Sequence, residues 1–240
     1  MTRSILSVHN VSKRFGGLTA VNNVSFDVKP GELLGIAGPN GSGKSTLFNL
    51  MTRIPFGPSE GQVTFDGQRI DTLAPHKIAG LGLSRTFQKD VEFPDLSASE
   101  TVHIAATYGG RHARKTGADI LDFVDFATDR REMHTTELSV YERKQLMIAS
   151  ALVMDPKVLM LDEPASGLTR PEINALEALL RKISQSGVTI LLIEHVLGLL
   201  MAVSERLIVL NQGALLAEGH PKDVMQDPAV IEAYLGARAA

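Results

Sequence analysis

The chain has 240 residues, no cysteine and a formal net charge of −3, a size that suits one large α/β domain with an inserted subdomain or two small domains, with a core to bury in either case. The lack of cysteine excludes disulfides, thiolate zinc sites and cysteine nucleophiles. Charges of both signs are mixed rather than blocked, so the electrostatic footprint of a nucleic-acid or anionic-membrane binder is missing and no nucleic-acid partner is expected.

The opening MTRSILSVHNVSKRF has no apolar core of signal-peptide length, and the longest apolar tract, VTILLIEHVLGLLMAV, is broken by Glu194 and His195. A soluble, cytoplasmic chain is expected. ILSVHNV, VSFDV and ELLGIA read as short strands, the third after a turn at Pro30 and Gly31. Between the first two, KRFGGLTAV sets Phe15 ahead of a glycine pair; an aromatic at a strand end is ordinarily core.

Directly after ELLGIA comes GPNGSGKST, formed by Gly38, Pro39, Asn40, Gly41, Ser42, Gly43, Lys44, Ser45 and Thr46, and then LFNL. A strand should therefore enter a glycine-rich turn and leave as a helix, the context this motif requires. Glycines 38, 41 and 43 let backbone N–H groups converge on phosphate oxygens, Lys44 reaches the outer phosphates, Ser45 suits Mg²⁺, and the helix offers its positive end. At average glycine usage the pattern GxxxxGK[ST] arises by chance in a chain this long on the order of 1% of the time. The motif therefore names a nucleoside triphosphate.

PFGPSEGQVTFDG resembles a hairpin arm, and LSRTFQ a strand ending at Gln88. From about residue 90 to 153 the period is helical, with SASETVHIAA, GADILDFVDFA and LSVYERKQLMIASALV as candidate helices and the basic run RHARK at 111–115 as a solvated loop. VLMLDEP then closes an apolar strand on Asp162 and Glu163. Thr169 and Glu172 form a capping box with Pro171 in the first turn, and the helix INALEALLRKI runs to Ser186 and Gly187. TILLI and RLIVL are continuous apolar runs, the pattern of parallel strands covered on both faces. No repeat or low-complexity tract is present.

Asp162, at the end of a buried strand, is placed to bind Mg²⁺ alongside Ser45, while Glu163 points differently and suits orienting or deprotonating a water. His195 also follows a strand, where a donor would meet a γ-phosphate.

In this order the motifs resemble the ATP-binding cassette family of transport ATPases, over nearly the whole chain. The resemblance implies an α/β P-loop NTPase core with a mainly parallel sheet, an antiparallel β subdomain and an inserted helical subdomain: one domain over 1–240, with 1–89 and 154–240 as the core and its β arm, and 90–153 as the helical part. It implies that Phe15 stacks on adenine, that Gly38 to Thr46 is the Walker A loop and Gln88 the Q-loop glutamine, and that Ser45, Gln88 and Asp162 hold the metal. Glu163 then matches the catalytic glutamate and His195 the switch histidine, with Lys44 completing the catalytic set. More narrowly, RFGGLTAV, SRTFQ, LLIEHV, VLNQGALLAEG and AYLGA are similar to the ATPase subunits of high-affinity branched-chain amino acid uptake systems. That similarity implies an importer of branched-chain amino acids or related small amino acid, carboxylate or amide solutes. Its partners would be a second ATPase chain, in a homodimer or, by preference, a heterodimer, two membrane permease subunits and, indirectly, a periplasmic or extracellular solute-binding protein. The chain would lie on the inner face of the cell membrane.

Two segments depart from the family pattern. Where LSGGQ or LSGGE is usual this chain has LSVYE, so Ser139 and Glu142 match while Val140 and Tyr141 replace both glycines, and Thr169 stands where aspartate or asparagine is usual. Two other readings are a soluble ATP-dependent switch unconnected with transport and a nucleotide-binding scaffold. One phosphate loop and an insertion of ordinary length favour transport over the first; Glu163 and His195 speak against the second.

Overall fold

The structure is a computed structural model that describes residues 3–87, 93–109 and 115–236. A six-stranded sheet forms its centre, in the order β10 (Ala214–Gly219), β9 (Arg206–Asn211), β3 (Leu33–Ala37), β8 (Thr189–Ile193), β7 (Val158–Asp162) and β6 (Leu83–Arg85). All neighbours are parallel except β10, which runs antiparallel to β9. A second, antiparallel sheet is ordered β2 (Leu18–Val28), β1 (Leu6–Phe15), β4 (Glu60–Phe65) and β5 (Gln68–Arg69). Its outer hairpin turns at Asp66 and Gly67, both with positive φ (47° and 80°), the dipeptide that a tight two-residue hairpin favours.

The continuous apolar strands follow from two cores. Side chains alternate across a strand, and here each face meets its own cluster: Leu159, Leu161, Ile190, Leu192, Leu207 and Val209 join one, while Val158, Met160, Leu191, Ile193, Ile208 and Leu210 join the other. The first is covered by α3 (Ala98–Gly109), α4 (Gly117–Phe123), α5 (Val140–Leu152), α6 (Arg170–Gln185) and α7 (Leu197–Val203), through residues such as Val102, Leu121, Ile148, Leu180 and Leu200. The second is covered by α1 (Lys44–Thr52) and the antiparallel sheet, through Phe48, Met51, Val8, Val24 and Val63. Burying a Leu or Ile is worth roughly 1.5–3 kcal/mol, so both faces are dominated by apolar side chains.

Local signals explain the helix ends. In α6, Leu176, Leu179, Leu180 and Ile183 are buried at helical spacing, Thr169 and Glu172 close a capping box, and Gly187 follows the helix with φ 91°. The same box, from Ser139 and Glu142, starts α5. The SRTFQ stretch is a shorter strand than its apolar pattern suggests, ending at Arg85; Thr86 still donates to Met160 O at 2.9 Å. The remaining helices are α2 (Pro75–Gly80), α8 (Pro221–Val224) and α9 (Pro228–Gly236).

Candidate functional site

The phosphate loop is a turn that only small, permissive residues can make. Gly38, the residue after β3, has φ 141°, and a Cβ there would stand 2.2 Å from Leu210 O. Gly43 caps α1 with φ 102°, where a Cβ would meet Ala20 O at 2.5 Å. From Gly43 the chain enters α1 at once, Leu47 N–H donating to Gly43 O, so the first-turn N–H groups of Lys44, Ser45 and Thr46 are left for a ligand. Lys44 is buried and its Nζ donates to Gly38 O (2.8 Å) and Pro39 O (2.9 Å). Burial pulls its ammonium below the ordinary lysine range, opposed by the carboxylates of Glu163 and Asp162. The Ser42 hydroxyl is also buried and has no hydrogen-bond partner among the described residues.

Across the cleft, β7 delivers two carboxylates with opposite fates. Asp162 is its last residue, and its Oδ2 accepts from Arg85 Nη2 at 2.8 Å with both side chains at most 5% exposed. Burial pushes this carboxyl above its ordinary range, with Arg85 pulling the other way. Its Oδ1 is buried with no hydrogen-bond partner among the described residues. Such an orphaned oxygen beside a phosphate loop fits a divalent cation that takes oxygen ligands, so the site passes the test for Mg²⁺. Glu163 leaves the strand in the left-handed region, φ 52°, which for a non-glycine costs roughly 1–2 kcal/mol. Its N–H donates to Ile193 O and its Oε1 lies 2.6 Å from His195 Nε2. These two ties aim the carboxylate into the cleft rather than along the strand.

Phe15, Gly41, Lys44, Thr46, Glu163 and His195 line one open cleft of about 1090 Å³, together with Asn40, Ser42, Gly43 and Ser45. Phe15 is 43% exposed, which removes it from the core; its ring meets Phe56 edge-on at 5.0 Å and Lys13 Nζ lies 5.3 Å from its centroid. The signature positions do not line this cleft. Ser139 and Val140 lie exposed at the start of α5, and Tyr141 is half-buried against the helix-covered core. Glu142 accepts from Ser139 N–H and from Arg130 Nε at 2.7 Å each, and the Arg130 hydrogen bond above all holds its carboxyl down at about 2. Gln88 and most of the basic run at 111–115 lie outside the described residues.

Three supporting residues lie in stretches that carry the resemblance but take no role from sequence alone. Arg85, in the middle of SRTFQ, also donates to Asn49 Oδ1 and lies over the Phe48 and Phe87 rings. Glu194, visible in sequence only as a break in an apolar tract, is 2% exposed and accepts from the N–H groups of Ala165, His195 and Val196. That carboxylate ties the segment after Glu163 to the segment that carries His195. Tyr234, on α9, reaches the phosphate loop itself: its hydroxyl accepts from Gly38 N–H at 2.8 Å.

The family model described as "ABC transporter" matches residues 21–166, and that described as "Branched-chain amino acid ATP-binding cassette transporter" matches 214–240. Among curated proteins, the high-affinity branched-chain amino acid transport ATP-binding protein BraF of Pseudomonas aeruginosa is 38% identical over 98% of this chain and 99% of its own. LivG of Escherichia coli, named for the same transport, is 35% identical over 98% and 99%. The ADP conformation of a crystallised ATP-binding cassette of an ABC transporter superposes with a TM-score of 0.88 at 30% identity, covering 98% of this chain and 100% of that one. A family model over most of the chain, with relatives aligned almost end to end and a crystallised cassette of the same fold, leads to one conclusion: the chain belongs to the ABC transporter family, as an ATP-binding and ATP-hydrolysing subunit.

Proposed function

We propose that this subunit powers an importer of branched-chain amino acids or of related small amino acid, carboxylate or amide solutes, as one half of a nucleotide-sandwich dimer. The observation that carries the chemistry is the Glu163–His195 pair at 2.6 Å, in the same cleft as the phosphate loop. Gly38 to Thr46 wrap the phosphates, Lys44 bridges the outer ones, and Phe15 stacks on the adenine. Ser45 and Asp162, with Gln88, hold Mg²⁺, which when bound neutralises charge on the phosphate oxygens. Glu163 orients the attacking water and accepts its proton, and His195 donates toward the γ-phosphate. The solute class is supported by the printed names of the relatives and by the match at 214–240.

Residues 90–153 act in this reading as the signature-bearing helical subdomain inserted into the core of 1–89 and 154–240. Because 139–142 lie outside the chain's own cleft, their natural place is against a second chain's nucleotide, and a related cassette with a TM-score of 0.80 at 25% identity has a dimeric post-hydrolysis structure bound to ADP and Pi. Binding ATP closes such a dimer and hydrolysis reopens it. The relatives' transport names support two permease subunits for solute passage, fed by a periplasmic or extracellular solute-binding protein, with this chain held on the inner membrane face; among the described residues no helix is long and apolar enough to cross a membrane. An apolar groove of about 470 Å³ between α2, β6, α3 and α5, where Phe93, Ile104 and Tyr108 are exposed, suits a permease helix. Arg85 lines that groove and grips Asp162, linking the two surfaces.

The test is uptake of labelled leucine by inside-out-corrected proteoliposomes holding the permease subunits, both ATPase chains and the binding protein. ATP-dependent uptake that Glu163→Gln abolishes supports the reading; uptake indifferent to that change sinks it.

A further inference from the structure

Among the described residues, one side-chain hydrogen bond ties the C-terminal helix to the nucleotide loop. In α9 the residues facing inward are Val230, fully buried, and Tyr234, four positions on and half-buried against the same core. Ile231 and Leu235, 45% and 60% exposed, face away. Tyr234 Oη accepts from Gly38 N–H at 2.8 Å across 196 residues of sequence. Gly38 is the pivot at which β3 becomes the phosphate loop, and its carbonyl accepts from Lys44 Nζ at 2.8 Å. One peptide residue is thus gripped on its N–H by the C-terminal helix and on its C=O by the lysine. Gly38 has no side chain to anchor it, and a Cβ there would meet Leu210 O at 2.2 Å and Ser42 Oγ at 2.7 Å.

We propose that Tyr234 is a positioning residue of the nucleotide site: by holding the Gly38 peptide it sets the orientation of the loop and of Lys44, and so sets the affinity for ATP from a helix that does not line the cleft. A buried phenol kept protonated suits the task, since burial pushes Tyr234 above the ordinary tyrosine range and the hydroxyl stays neutral in its place. Without the acceptor, Gly38 N–H loses its partner and the peptide is free to tilt, which misdirects the loop before nucleotide arrives.

The inference rests on the reading of this cleft as an ATP site, and the experiment separates the two. ATP affinity is measured by fluorescent-analogue displacement on the full chain in wild type, Tyr234→Phe and Lys44→Ala. Tyr234→Phe keeps the ring and deletes only the acceptor; it should raise the ATP dissociation constant about threefold to tenfold, the range of one net hydrogen bond. Hydrogen exchange of the peptide spanning 38–44 should quicken in the variant without nucleotide. An unchanged dissociation constant with a lowered unfolding midpoint would show that Tyr234 only anchors α9 and would overturn the proposal. Wild-type protein that fails to bind ATP, or binds it equally as Lys44→Ala, would instead overturn the reading of the cleft.

Discussion

The imidazole of His195 and the carboxylate of Glu163 meet at 2.6 Å although they follow different strands, because β7 and β8 are parallel neighbours that end at the same level, Asp162 opposite Ile193. Parallel strands present their carboxyl ends together, so residues just beyond them converge on one crevice. In the proposed mechanism the pair divides labour with Lys44 across the cleft. Glu163→Gln should keep ATP affinity within about twofold and cut turnover by 10²-fold or more, the lower end of what a positioned base contributes. Lys44→Ala should lose tight ATP binding. Equilibrium binding and single-turnover hydrolysis on both variants check this, and equal ATP affinity in wild type and Lys44→Ala would sink the assignment.

Phe15 stands at the end of β1 with 43% of its surface exposed, propped edge-on by Phe56 and approached by Lys13. An aromatic presented in this way has a free face for a planar ligand, and an aromatic pair is worth about 1 kcal/mol beyond burial. Phe15→Ala is expected to raise the ATP dissociation constant several-fold while leaving selectivity for triphosphate over diphosphate unchanged. Calorimetric titration with ATP and with inorganic triphosphate distinguishes the base from the phosphates. If the ATP constant does not move, Phe15 plays no part in holding the base.

The Arg85–Asp162 pair is buried on both sides, with side-chain exposures of 5% and 2%. Its partners are not interchangeable with solvent, so removing the cation leaves a carboxylate buried without a counter-charge, a change that costs about 3–5 kcal/mol. Arg85→Leu should lower the chemical-denaturation stability by that amount. The double variant Arg85→Leu, Asp162→Leu should recover much of it, since no charge is then stranded. A loss below about 1 kcal/mol in the single variant would place the pair in a wetter environment than the geometry gives it.

Local patterns made most of this architecture legible. The strands that carry the site are short apolar runs next to a glycine motif or an acidic pair, and the capping boxes at Thr169 and Ser139 are readable residue by residue. What sequence could not supply were contacts whose partners are far apart. Arg85 meets Asp162 over 77 residues and Tyr234 meets Gly38 over 196; neither residue belongs to a pattern that names its partner. Glu194 was visible only as an interruption of an apolar tract, and its meaning lies in three backbone N–H groups that converge on it after folding. Phe15 shows the limit of burial statistics: strand-end aromatics are mostly core, and this one faces the cleft because the chain turns at Gly16, φ 57°, immediately after it.

The last prediction concerns the two sites of the proposed dimer. Family members usually carry glycines where this chain has Val140 and Tyr141, the first two residues of α5, so that backbone approaches a neighbouring chain's γ-phosphate without a side chain between. The structure separates the two replacements. Tyr141 folds back, half-buried, with Asp125 and Glu172 near enough to add to the rise that burial gives its phenol. Val140 stays at the surface, 36% exposed, and its Cγ1 lies 3.6 Å from where a Cβ on Gly167 would be. A branched side chain thus stands exposed at the first position of α5, while Ser139 Oγ is already engaged by Glu142 N–H at 3.2 Å. Hydrolysis at the site that uses this signature should be slow, whereas the site built on Lys44, Glu163 and His195 needs only a partner whose signature keeps its glycines. A homodimer would carry the obstruction twice, so a different partner chain is expected. In the assembled transporter, Glu163→Gln should remove most ATP turnover and the equivalent change in the partner should remove little. Val140→Gly with Tyr141→Gly should raise the weaker site's share, at a helix cost of about 0.5–1 kcal/mol per glycine that an unfolding curve will show. Equal losses from the two glutamates, with turnover indifferent to the glycine pair, would mean that this signature serves its site as well as the usual one.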